Sequence, residues 1–154
     1  YYGMLWFDQG NYNQAAASFQ RALEINPNHA FANHDLGQLH EQAGRLDDAI
    51  RYYRRAVANR PDYGLAPFNL GRTMMNKGRL GDAIREFQLA LREVKSLTPI
   101  CLATLASAYA RLGKTSEAAD TFKLARQAAE RHGQDALAEE IDNEINRLAA
   151  YGAR

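Results

Sequence analysis

LGQLHEQAGRLDDAIRYYRRAVANRP, residues 36–61, is the stretch on which the fold turns. Gly44 divides it into two segments of helical periodicity. After the glycine, Ala49, Tyr53 and Ala56 follow at spacings of four and three, which place a small, a large and a small side chain on one helical face. Before it, Leu36 and Gly37 offer a surface that a second helix can approach closely, with the aromatic ring filling the space beside them. Pro61 stops the second segment, because it has no amide hydrogen to continue a helix. The stretch therefore reads as helix, glycine turn, helix.

Working outward, the same columns return. Glycines stand at 10, 44, 78 and 113, at intervals of 34, 34 and 35 residues. Ala15, Ala49, Ala83 and Ala118 follow them, then Phe19, Tyr53, Phe87 and Phe122, then Ala22, Ala56, Ala90 and Ala125. Upstream are Gly3, Gly37, Gly71 and Ala106, preceded by Tyr2, Leu36, Leu70 and Leu105. A fixed period of this length marks a stacked architecture, in which each unit buries its apolar face on the next. Asn13, Asp47, Gly81 and Ser116 fall three residues after the glycines and are expected as helix N-caps. Pro27 and Pro61 end the second helix of units one and two; unit three lacks that proline, and Thr98-Pro99 instead caps and opens the next helix.

These columns resemble the tetratricopeptide repeat family. The best copy holds Leu36-Gly37, His40, Gly44, Ala49, Tyr53, Ala56 and Pro61, and the resemblance covers residues 1–132. It implies an all-α, right-handed superhelical solenoid of antiparallel helix pairs. The expected units are 1–29 (incomplete at its start), 30–63, 64–98 and 99–132, with a capping helix and tail over 133–154. Leu137, Ile141, Ile145 and Leu148 give that helix an apolar stripe, while five acids against Arg147 give residues 134–148 a charge of −4. A solenoid needs such an end to meet water, and the outer face of the helix is an alternative docking surface.

In proteins of this family the first helix of each unit lines a concave groove that holds a peptide. Carried onto this chain, the groove column holds Phe31, His34, Asp35, Gln38, Glu41 and Gln42 in unit two. Unit three supplies Leu65, Phe68, Asn69, Arg72, Met75 and Asn76, and unit four Ile100, Ala103, Thr104, Ser107 and Arg111. Amides, single charges and apolar anchors in one surface suit a peptide backbone and a few side chains. A carboxylate clamp of the kind used by chaperone-tail binders is not expected, since of its columns only Asn69 matches.

Chemistry of other kinds finds little footing. His34 and His40 are six residues apart and do not share a helical face as metal ligands at i and i+4 would. No phosphate loop, HExxH or CxxC occurs, so no catalysis, metal or cofactor is expected. A net charge of +1 gives no reason to expect nucleic acid or an anionic membrane, and Arg51, Arg54 and Arg55 read as a solvated face. The apolar run from Ile100 to Ala110 is too short to span a bilayer. Cys101 is a lone thiol, read as a packing residue, and leaves the compartment open.

The expected function is a non-catalytic scaffold that binds a protein or peptide in its groove. A second expectation starts from Tyr1, Tyr2, Leu5 and Trp6, an uncapped and adhesive end. It makes the chain a structural subunit that polymerises head-to-tail into a homo-oligomer or filament. A third makes it an accessory repeat domain of a larger enzyme or secretion component. The chain starts within a helical pattern and without methionine. That start fits a fragment or a mature chain after leader removal, and leaves the compartment unknown: cytoplasmic or, where a leader was removed, exported.

Overall fold

The structure is a computed structural model that describes residues 9–63, 65–93 and 98–152. Tyr1, Tyr2, Leu5 and Trp6 lie outside the described residues. Eight helices are present among them: α1 Tyr12–Ile25, α2 Ala30–Gln42, α3 Leu46–Asn59, α4 Leu65–Asn76, α5 Leu80–Glu93, α6 Thr98–Arg111, α7 Thr115–Arg131 and α8 Asp135–Gly152. Each packs on its neighbours in the chain, which makes a solenoid of antiparallel pairs. The first helices α4, α6 and α8 also touch in succession, so α8 occupies the place of a fifth first helix.

The period has a backbone cause. Gly44 has φ +72°, and its amide donates to the Glu41 carbonyl at 2.9 Å while Arg45 N–H reaches back to His40 O at 2.8 Å. This six-to-one and five-to-two pair of bonds ends a helix on a left-handed residue, a conformation glycine adopts without Cβ strain. Gly78, Gly113 and Gly133 repeat it bond for bond. Because the turn is so tight, the residue after the glycine is already the N-cap. Arg45 and Lys114 stand there, as does Asn11, and none makes a side-chain cap bond. This corrects the cap assignment: Asn13, Asp47, Gly81 and Ser116 fall inside the first turn. Asp47 and Asp48 still favour the positive helix end.

The aromatic column is the core. Tyr53 and Phe87 are fully buried, and Phe122 and Phe19 nearly so. The Tyr53 and Phe87 rings lie against Gly37 and Gly71, where a Cβ on Gly37 would sit 2.7 Å from Tyr53 Cδ1. Three apolar clusters follow the stack: Phe19 with Leu36 and Leu39, then Tyr53 with Phe87 and Leu105, then Phe122 with Ile141. The α8 stripe of Leu137, Ile141, Ile145 and Leu148 packs in the last of these.

Candidate functional site: a groove along the first helices

Successive first helices set their exposed edges side by side, and three depressions run along them. The first, about 490 Å³, is lined by Gln38, Glu41 and Gln42 of α2, Arg72, Met75 and Asn76 of α4, and Thr104 of α6. The second, about 480 Å³, continues through Met75, Thr104 and Ser107 and gains Leu137, Glu140, Ile141 and Glu144 from α8. The third, about 500 Å³, shares Ser107, Phe122 and Glu144 and reaches Arg111 and Arg147. The surface is therefore continuous from α2 to α8.

Eleven of the expected groove residues are brought together there: Gln38, Glu41, Gln42, Arg72, Met75, Asn76, Ile100, Ala103, Thr104, Ser107 and Arg111. Phe31 and Leu65 are exposed but stand outside these depressions; Phe31 rests on Tyr63, with ring centroids 4.7 Å apart, under the Arg60 guanidinium. His34, Phe68 and Asn69 are buried, a correction to their placement on an open face. A first helix contacts its own second helix and also the next unit, so it buries a wider arc than one apolar stripe marks. Asp35 is half-buried, its Oδ1 3.0 Å from His34 Nδ1.

Beneath the groove several polar side chains are paired, while the buried Asn33 Oδ1 has no hydrogen-bond partner. Tyr53 Oη donates to Glu41 Oε2 at 2.9 Å, and Arg72 Nη2 approaches the same carboxylate at 3.3 Å. Burial, reinforced by the Glu41 charge, pushes the Tyr53 phenol far above its ordinary range, so it remains a donor. Asn69 donates from its side-chain amide to His34 Nε2, and its main-chain carbonyl oxygen accepts from Thr73 Oγ1. His40 stacks on Tyr52 at 5.0 Å and accepts from Arg45 Nε; burial and then Arg45 hold its pKa down. Cys101 is buried, with its thiol pushed up to about 12 by desolvation, which suits a packing residue and not a nucleophile.

Sequence reasoning missed Leu137, Glu140 and Glu144 as groove residues. Their signal was the four-residue step from Leu137 to Ile141, read as the buried stripe of a cap, with only the outer face of that helix offered for docking. Among the described residues no group of three His, Cys, Asp or Glu is placed to hold a metal, and no helix is long and apolar enough to cross a membrane.

The family model for the tetratricopeptide repeat matches residues 3–64, 34–99 and 68–136. A comparison with curated protein sequences finds no match. Among solved structures, a crystal structure of MamA superposes with a TM-score of 0.74 at 18% identity, covering 98% of this chain and 96% of that one. MamA AMB-1 gives 0.74 at 24% identity over 83% of this chain and 69% of that chain, and MamA MSR-1 gives 0.73 at 24% over 84% and 74%. At these identities the likeness is one of fold.

Proposed function

The chain belongs to the tetratricopeptide repeat family, and from that premise we propose that it is a non-catalytic scaffold holding a protein segment along α2, α4, α6 and α8. The observation that carries this reading is the continuity of the three depressions. Amides at Gln38, Gln42 and Asn76 can pair with a peptide backbone, while Met75, Ile100 and Leu137 offer apolar seats. Repeat surfaces of this kind gain affinity by summing modest contacts over several units.

The test is selection of peptides from a displayed random library on the purified chain, followed by anisotropy titrations against a Gln42→Ala/Met75→Ala/Arg111→Ala variant. Each replaced side chain is at least partly exposed, so the helical circular dichroism spectrum is expected to stay unchanged. Binding should weaken about tenfold or more if these residues act as anchors. Undiminished binding by the folded variant would contradict the reading.

A second reading draws on the first seven residues, YYGMLWF, which carry four aromatic side chains and no charge. Tyr1, Tyr2, Leu5 and Trp6 would then dock on another copy in a heterologous, head-to-tail contact. Sedimentation over a concentration series tests it: assembly that Trp6→Ser abolishes supports the contact, and a concentration-independent monomer rejects it.

A further inference from the structure

The middle depression differs in charge from the rest of the groove. Its floor is apolar, built from Met75, Ile100, Ala103, Leu137 and Ile141, and its rim carries Glu140 and Glu144. No Lys or Arg lines it. A neighbouring depression of about 670 Å³ shares Ile100 and Leu137, adds Asp135, and again has no cation in its lining. Ile100 is 45% exposed, a large apolar side chain left open to water in the centre of this surface.

We propose that this pocket takes a basic amphipathic segment of a separate protein, with an apolar side chain seated over Ile100 and Leu137 and a Lys or Arg against Glu140. The inference rests on the groove reading above and names the chemistry of its partner. Glu140 makes no hydrogen bond or ion pair among the described residues, so its charge is free to meet a ligand cation. Glu144 pairs with Arg147 at 2.6 Å, but that arginine is 70% exposed, and such a pair is weak enough for an incoming cation to replace. Complementary charge at an apolar seat fixes the register of a ligand and rejects acidic competitors.

Charge also argues against the chain's own segments as the occupant. Residues 1–8, YYGMLWFD, bring apolar side chains with Asp8 and no Lys or Arg. Arg51, Arg54 and Arg55 are basic and exposed, but the apolar side chains beside them, Tyr53 and Ala56, are consumed by the core. Phosphate-bearing polymers would meet carboxylates without a compensating cation.

The experiment compares two fluorescein-labelled synthetic peptides of equal length, one repeating leucine and lysine and one with every lysine replaced by glutamate. They are titrated onto the chain at low and high sodium chloride. The lysine peptide is expected to bind about tenfold more tightly at low salt, with the advantage shrinking as salt rises. Glu140→Gln/Glu144→Gln should erase that advantage, weakening the lysine peptide about three- to fivefold per carboxylate, whereas Glu93→Gln/Glu139→Gln, the same charge change outside the pocket, should not. Equal binding by the two double variants, or equal affinity for both peptides, overturns the proposal. Ile100→Ser separates the two levels of the reading. If both peptides weaken while the lysine peptide keeps its advantage, both levels stand; if both weaken and the unmodified chain shows no such advantage, the groove stands and the charge assignment falls; if neither weakens, both fall.

Discussion

His34 and Asn69 meet at 2.9 Å, imidazole Nε2 to amide Nδ2, in a buried contact that joins the first helix of one unit to the first helix of the next. Because Nδ1 faces the Asp35 carboxylate at 3.0 Å, the consistent arrangement has Nδ1–H donating to Asp35 and Nε2 accepting from Asn69. The stacking of units two and three thus includes a buried directional bond, beside the more exposed Arg72–Glu41 and Lys77–Asp47 pairs.

Removing one partner strands the other. Asn69→Ala is expected to lower stability by about 1–3 kcal/mol, since Nε2 loses its buried donor. In urea titrations, His34→Leu/Asn69→Leu should cost less than the sum of the two single changes, with a coupling of about 1 kcal/mol. Strict additivity would show that the bond contributes nothing.

Gly37→Ala tests the close approach of paired helices. Alanine gains about 1 kcal/mol of helix propensity over glycine, yet the new methyl meets the Tyr53 ring at 2.7 Å and that ring is fully buried. Overpacking wins, with an expected net loss of about 1–2 kcal/mol. Gly71→Ala should cost more, because its methyl meets both Phe87 Cε1 at 2.8 Å and the Ala83 main-chain oxygen at 3.1 Å. A rise in the urea midpoint of either variant would contradict the packing account.

Glu86 predicts a pH dependence. Its carboxyl is held above the ordinary range, first by desolvation, and Oε2 is buried without a hydrogen-bond partner. A raised folded-state pKa means the folded state holds the proton more tightly than the unfolded chain does. Stability attributable to this group is therefore complete below the ordinary carboxylate range and is lost as pH rises from there through the raised folded-state value. Glu86→Gln should raise the urea midpoint at neutral pH and leave it unchanged in acid where Glu86 is protonated. A lowered neutral-pH midpoint would show that the pairing with Arg54 and Arg85 outweighs desolvation.

The solenoid was legible because its determinants repeat: Tyr53 and Phe87 sit in the core their columns imply, and Gly44, Gly78 and Gly113 each take the left-handed turn. His34, Phe68 and Asn69 were misplaced for a reason of geometry. A single 3.6-residue stripe marks the face toward the partner helix, whereas a first helix also buries the arc toward the next unit. Glu140 and Glu144 escaped notice because polar residues beside an apolar stripe look the same on a terminal cap and on a groove wall. Only the succession of α4, α6 and α8 distinguishes the two.

The most direct measurement of the central claim is a titration of isotope-labelled protein with a library-selected peptide, followed through amide chemical shifts. Perturbations should fall on Gln42, Met75, Thr104 and Glu140, one from each groove helix, while Arg51, Arg85 and Lys123 on the second helices stay still. Shifts confined to the second helices would contradict the assignment of this groove as the binding surface.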